Sequence, residues 1–427
     1  MIFPISSISF VDACSNIGII ELCMSRNIKK SGENRCLTGR CDMKSDVKKG
    51  FLEVYGKISE HFFFAPGRVN IIGEHVDYNG GLVMPCALNM GSYVAASKRS
   101  DNKIRLTSMT YKPSVETGQE CLDIDETHGW ANYPKAVAMC FLEDGYGFSG
   151  FDMYFAGDLP RGAGLSSSAS LCMAVAFSLN SMFALGLSSA ELAKICQRAE
   201  NKNGVNCGIM DPFASAACIK GHAILLDCAK LKYSQVPLDI GDWKIVIANT
   251  NKQRGLQESK YNERRAECEK ALGELKKVVQ VSELCDLSPD EFLAHKDVIS
   301  CEVSRRRAQH VIFENNRAKK AAEFAKQGQW SEFSRILGEA HASLRDLYEV
   351  SCDELDSLVK HAYAFNGKHP IYGARMTGAG FGGCTVNIVN KNDIPAFCKY
   401  VSELYTRDCG KEVSFYEAEP DDGAREI

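Results

Sequence analysis

Two polar clusters and one isolated carboxylate are the residues of this chain best equipped for chemistry. Between Arg68 and Asp77, ten residues carry Arg68, Asn70, Glu74, His75 and Asp77: a guanidinium, an amide, two carboxylates and an imidazole. These are the donors and acceptors that a polyhydroxylated ligand needs, although a solvated surface loop can show the same density. The second cluster is Gly157-Asp158-Leu159-Pro160-Arg161-Gly162-Ala163-Gly164-Leu165-Ser166-Ser167-Ser168-Ala169-Ser170. Gly162 and Gly164 lack a Cβ and would let an anion approach the backbone. Ser166, Ser167 and Ser168 stand where a helix would begin, and the free N–H groups and dipole of a helix start favour a phosphate. A plain turn followed by capping serines is the alternative. The isolated carboxylate is Asp211, just before Pro212 in an apolar context. It is either a helix cap or a functional acid.

The elements that must hold these groups follow from periodicity. Phe151, Met153 and Phe155 alternate with Asp152, Tyr154 and Ala156, which predicts a half-buried strand. Leu171, Val175, Leu179 and Met182 recur at helical spacing, so the glycine-rich loop joins a strand to a helix. A short helix from Phe51 should lead to a strand at His61 to Phe64, with further strands at Leu82 to Leu88, Tyr93 to Ser97 and Ile104 to Ser108, and Asn79-Gly80 as a turn. Ser188 and Glu191 form a capping box for a helix running to about Asn201. Strands are expected near His222 to Leu226 and Trp243 to Asn249, with the domain boundary between Asp227 and Gly241. Charged helices follow at Glu258 to Val278, Ser304 to Gln327 and Trp330 to Asp346, their charges read as a solvated face. A second glycine-rich loop, Gly373 to Cys384, precedes a strand (Thr385 to Val389), a helix (Ile394 to Thr406, stopped at Gly410) and a strand (Glu412 to Tyr416). The class is α+β, with mixed sheets and helices.

Composition narrows the function. Hydrophobic content of 45% and charged content of 24% over 427 residues are those of a globular protein of two or three domains. A formal net charge of -4 leaves no footprint for nucleic acid or an acidic membrane surface, so small-molecule partners are expected. The 19 cysteines include Cys140, Cys172 and Cys196 in apolar patterns, read as core filling in a reducing cytoplasm. Cys36 and Cys41 alone are too little for a zinc site. Residues 1–44 read as a disordered N-terminal extension without a secretory signal or membrane span; the first 42 are expected to be dispensable or untranslated, since Met43 stands where the pattern becomes domain-like. No P-loop ending Gly-Lys-Ser/Thr occurs, and neither His-Arg-Asp nor Asp-Phe-Gly is present, which excludes the P-loop and protein-kinase routes to ATP.

Ala65 to Leu88, Gly162 to Ser170 and Gly373 to Cys384, together with Asn206 to Asp211, Tyr261 to Arg265 and Glu339 to Asp346, resemble the GHMP small-molecule kinases and, among them, the galactokinase family. The resemblance covers the chain from about Phe51 onward, and Gly73-Glu74-His75-x-Asp77-Tyr78 is its specific part. It implies a two-lobed GHMP kinase fold, residues 45–235 and 236–427, with the active site between the lobes. It implies MgATP-dependent phosphorylation of the anomeric hydroxyl of D-galactose, the first committed step of the Leloir pathway, by a cytoplasmic monomer. Asp211 matches the general base and Arg68 the residue that stabilises developing charge. Glu74, His75, Val76, Asp77, Gly208 and Tyr261 match sugar-binding positions; Gly162, Ala163, Gly164, Leu165, Ser166, Ser167 and Ser168 match the ATP loop; Ser168 and Glu200 match the magnesium-linked pair. Between Glu200 and Asp211 the chain is one residue shorter than the family pattern. The alternatives are an N-acetylgalactosamine or uronic acid kinase, or a non-catalytic galactose sensor; intact Ser168-Ala169-Ser170, Arg68 and Asp211 favour catalysis.

Overall fold

The computed structural model describes residues 43–160, 163–204, 207–252 and 257–427. The predicted N-terminal extension therefore lies outside the described residues, apart from its last two positions, as do Cys36 and Cys41. Helix α1 (Met43–Tyr55) comes first, so the basic run before Phe51 is helical from Met43 rather than part of a flexible arm. Val47, Gly50 and Phe51 of α1 are buried, and that contact holds the run in a helix. Strand β1 (His61–Asn70) extends well past Phe64, through Pro66 and a register shift before Arg68. The proline is tolerated because the outer neighbour of β1 reaches only Phe63 and Phe64, leaving no ladder partner for the missing N–H. Asn79-Gly80 closes a 3₁₀ turn, Asp77–Asn79, instead of a hairpin, with Gly80 at φ 73°. Beyond it, β2 is only Leu82–Val83, and the two runs expected as separate strands merge largely into β3 (Pro85–Lys98).

Next come β4 (Lys103–Ser108), β5 (Val115–Gly118), α2 (Asn132–Glu143), β6 (Phe151–Gly157), α3 (Ser167–Met182), α4 (Ser189–Lys202) and α5 (Met210–Ala217). The predicted capping box at Ser188 and Glu191 opens α4. Strand β6 pairs antiparallel with β3 and parallel with β4, making the sheet mixed. Only Gly157 of β6 is exposed, so the strand is not half-buried. One face, with Phe151, Met153 and Phe155, packs into the core containing α2, α3 and α4. The other lies under α1, where Tyr154 and Ala156 join Val47, Phe51 and Phe62. On that face Asp152 is completely buried and held by Lys57 at 3.0 Å, Arg99 at 3.0 Å and Arg105 at 2.6 Å. A polar residue at an alternating position pointed to water; three cations and a helix cover it instead.

The chain continues as β7 (His222–Asp227), β8 (Lys232–Pro237), β9 (Trp243–Asn249), α6 (Gln257–Leu275), α7 (Pro289–His295), α8 (Glu302–Lys326), α9 (Trp330–Ser343), a π-helical turn at Leu344–Tyr348, and α10 (Asp353–Ala364). It ends with β10 (Ala374–Thr377), β11 (Cys384–Asn390), α11 (Ile394–Cys409), β12 (Ser414–Ala418) and β13 (Arg425–Glu426). Among the described residues the sheets have the orders β13-β1-β3-β6-β4-β5, β10-β11-β9-β12 and β2-β7-β8. The stretch after Asp227 is thus no bare linker, since β8 pairs with β7 along its length. Nor are the helical charges only a solvated face. Arg307 of α8 is buried between Glu267 (2.8 Å) and Glu349 (2.6 Å), and Glu314 is buried against Arg317 (2.6 Å), because α8 packs on α6, α9 and the π turn. Gly410, at φ 64°, ends α11 as expected. Cys140, Cys172 and Cys196 are core residues. Among the described residues no helix is long and apolar enough to cross a membrane.

Burial alone would raise the pKa of Asp152, but hydrogen bonds from Arg105, Lys57 and Arg99 hold it below the usual aspartate value of 3.8. Asp152→Ala should cost about 2 kcal/mol at neutral pH, a partly solvated version of breaking a buried ion pair. In urea titrations the gap between wild type and variant should close as pH falls below 3.8, where the unfolded chain no longer carries that charge either. An unchanged midpoint at pH 7 would remove Asp152 as the anchor of this face.

Candidate active site

Arg68 is the hub of the site. The register shift in β1 turns this residue toward the glycine-rich loop, where its N–H donates to the Leu165 carbonyl (3.2 Å) and its Nη1 to the Gly164 carbonyl (2.7 Å). Its Nε and Nη2 donate to Oδ1 and Oδ2 of Asp211 at 2.8 and 2.7 Å, a bidentate pair. Burial opposes the charge on Arg68, which is 5% exposed, but Asp211 and Glu74 outweigh it and raise the pKa above the usual arginine value. Asp211 does not cap its helix: Ile209 occupies the N-cap of α5, and Asp211 lies one residue inside the helix. Its carboxylate is committed to Arg68 and to the Ser166 hydroxyl, which donates to Oδ2. The cap reading is therefore replaced by the functional one.

In the loop, Ala163 and Leu165 are buried anchors, while Gly164 takes φ 75° and Ser166 φ 57°. Gly162 lies outside the described residues. Ser166 occupies the N-cap position of α3 without a side-chain cap bond. Ser167 is exposed and Ser168 partly so, beside the helix start whose first N–H groups have no partner within the helix. Ser168 is also hydrogen-bonded to Glu200, a carboxylate 2% exposed whose pKa burial raises to about 7, with the bonds to Ser168 and Cys207 opposing the rise. The Cys207 thiol donates to Glu200 Oε2 at 3.5 Å. A buried acid with this little cationic compensation, next to a serine hydroxyl, fits a divalent cation.

The sugar-signature residues meet the same loop. Gly208 and Asp77 touch so closely that a Cβ on Gly208 would lie 1.6 Å from Asp77 Oδ2. Burial, then the neighbouring charges of Asp211 and Glu74, push the Asp77 pKa up to about 7. His75 has φ 64°, and its Nδ1 is 2.8 Å from the Tyr78 hydroxyl, itself 2.8 Å from that of Tyr348. Burial pushes its pKa down to about 3, so the ring is neutral. Tyr261 of α6 stacks obliquely against His75 and Tyr78, with ring centroids 5.6 and 5.4 Å away. The Val76 side chain belongs to the core, which leaves its backbone to serve a ligand. Glu74 has a structural task besides: its Oε1 accepts from the Gly378 N–H (2.8 Å) and from Arg375 Nη2 (3.1 Å). Gly378, at φ 83°, in turn lies against the Gly164 carbonyl.

Glu74, His75, Asp77, Gly208, Tyr261, Arg68, Asp211, the described loop residues and Glu200 thus form one neighbourhood. Sequence reasoning gave no individual role to Arg375, Gly378 or Tyr348. The first two lie in the second glycine-rich stretch, a visible signal; Tyr348 has none.

Comparison with known proteins identifies this arrangement. Residues 49–98 match the galactokinase galactose-binding signature. The galactokinase of Clostridium beijerinckii is 46% identical over 385 residues, 89% of this chain and 98% of that protein, and that of Bacillus subtilis is 45% identical over 390 residues, 90% and 100%. The chain belongs to the galactokinase family. Residues 132–218 and 321–407 match the N-terminal and C-terminal GHMP kinase domains. Lactococcus lactis galactokinase, solved with galactose, superposes with a TM-score of 0.87 at 40% identity, covering 90% of this chain and 100% of its own. Methanococcus jannaschii mevalonate kinase, at 18% identity and a TM-score of 0.58, shares the fold alone. The GHMP kinase fold, α+β with mixed sheets, is the one expected. This galactokinase-family chain keeps every residue of the expected site.

The raised acids make stability depend on pH. The folded protein holds the Glu200 proton to about pH 7, whereas the unfolded chain releases it near 4.5. Between those values the folded state binds more protons, so this group's contribution falls as pH rises. His75 and His310, both pushed down by burial, act in the opposite sense, which makes the difference between wild type and Glu200→Gln the informative quantity. Without ligands, Glu200→Gln should become the more stable protein by about 1–3 kcal/mol near pH 8 and lose that advantage near pH 5. A pH-independent difference in melting temperature would contradict this. Gly208→Ala should displace Asp77 and raise the KM for galactose by about tenfold or more, a loss of the order of one charged hydrogen bond; an unchanged KM would refute the contact's role.

Proposed function

We infer that the chain phosphorylates D-galactose at its anomeric hydroxyl with MgATP, giving galactose 1-phosphate and ADP. The observation that carries this reading is the Asp211 carboxylate, clamped by Arg68 between the ATP loop and the Asp77–Gly208 contact. A sugar hydroxyl is too weak an acid to ionise near neutral pH, and a positioned base contributes about a hundred- to ten-thousand-fold. Asp211 takes the hydroxyl proton as that oxygen bonds to the γ-phosphorus, and ADP leaves with the electrons of the broken P–O bond. Arg68, its charge reinforced by two carboxylates, stabilises the charge that builds in this step. The loop backbone from Ala163 to Ser168 and the start of α3 hold the phosphates. Ser168 and Glu200 would hold Mg²⁺, which when bound neutralises charge on the transferring phosphate.

Asp77, Glu74, His75 and Tyr261 orient the sugar. Neutral His75 can donate or accept a hydrogen bond without adding charge. Asp77, hemmed in by Gly208, has little room to adapt to a misplaced hydroxyl, which favours galactose over its C4 epimer. We also propose that residues 45–235 and 236–427 are the two domains, and that the working unit is a cytoplasmic monomer. One chain supplies every residue given a role, Arg68 and Asp211 from the first part and Tyr261 and Gly378 from the second.

A coupled ADP-release assay with galactose, glucose, N-acetylgalactosamine and galacturonate tests the reading. Turnover should be confined to galactose. Galactose that raises the melting temperature but yields no ADP would make the chain a sensor. Asp211→Asn should abolish turnover while calorimetry still detects MgATP binding; near-normal activity would remove Asp211 as the base.

A further inference from the structure

Ser166 belongs by sequence to the nucleotide loop, yet its geometry serves the other substrate. Its backbone lies in the left-handed region, φ 57° and ψ 50°, which serine adopts at a cost. That conformation is not spent on capping α3, for the hydroxyl makes no bond to the helix start. The hydroxyl donates instead to Asp211 Oδ2. A serine hydroxyl has one proton, and a phosphate oxygen needs a donor, so a hydroxyl engaged with Asp211 has only lone pairs to offer a nucleotide.

We propose that Ser166 is a positioning residue for Asp211 rather than a side-chain ligand of ATP, a role that rests on the galactokinase reading with Asp211 as base. Arg68 alone holds the carboxylate in the plane of its guanidinium and donates once to each oxygen. Ser166 adds a second bond to Oδ2 from the loop side and fixes the carboxylate against rocking on Arg68. Among the described residues Oδ1 then carries one hydrogen bond and Oδ2 two. Oδ1 is left with the capacity to take the proton from the sugar hydroxyl. The strained backbone at Ser166 is thereby linked to chemistry, and the neighbouring Ser167 and Ser168 hydroxyls remain for phosphate and metal.

Ser166→Gly removes the hydroxyl and accommodates the left-handed backbone without strain. Its kcat should fall roughly ten- to a hundredfold, the loss of one hydrogen bond to a charged group, while KM for ATP and for galactose stay within about twofold. The affinity for MgATP, measured by calorimetry without galactose, should not change, and the variant should melt no lower than wild type. Ser166→Ala should show the same kinetics but melt lower, because alanine keeps the strain. A raised KM and Kd for ATP with kcat preserved would make Ser166 a nucleotide ligand and overturn the proposal; so would unchanged kinetics in Ser166→Gly. Asp211→Asn separates the two levels. Turnover in that variant defeats the base assignment itself, whereas an inactive Asp211→Asn beside a fully active Ser166→Gly defeats only the positioning role.

Discussion

The site depends on one buried ion pair, Arg68 with Asp211. Desolvating two charges is expensive, and such a pair lasts only where geometry and further hydrogen bonds return that cost. Here the return is distributed: the guanidinium meets the carboxylate with two bonds, its remaining Nη1 reaches the Gly164 carbonyl, and its own backbone N–H meets Leu165. Each bond that compensates the charge also fixes an element. β1, the glycine-rich loop and the start of α5 are brought to a common point, and the loop takes its path from a strand residue rather than from its own glycines alone.

A second tie carries the order outward. Glu74 binds the backbone of Gly378 and the guanidinium of Arg375, whose Nη1 reaches the carbonyls of Asn70 and Ile71. The β1 end of the sugar signature and the second glycine-rich stretch therefore hold each other. Arg375 is fully buried, so its charge has Glu74 as its close counter-charge, and the carboxylate is as necessary to the fold as to any ligand.

Much of this was legible in the sequence, and the limits have physical causes. Arg68 to Asp77 and Gly157 to Ser170 are dense local clusters, so their chemistry showed without a fold. The partnership of Arg68 and Asp211 spans 143 residues, and that of Glu74 and Gly378 spans 304; no local period records such ties. Asp152 misled because alternation marks which residues share a face and does not say whether that face meets water or a helix. Pro66 misled in the opposite direction: a proline reads as a strand end, but β1 continues where its outer neighbour has stopped. Asp211 looked like a cap since its position near a helix start suits either role, and only its partners decide.

The double duty of Glu74 bears on how such an enzyme can change its diet. A residue that touched only the sugar could be exchanged freely as new substrates became useful. Glu74 cannot, because any replacement must still neutralise Arg375 and accept from Gly378, which lies against the loop that holds the nucleotide. Mutational drift toward other sugars is thereby channelled to positions such as Tyr261, whose ring is stacked at the edge of the site on a separate helix and carries no such obligation to the phosphate side.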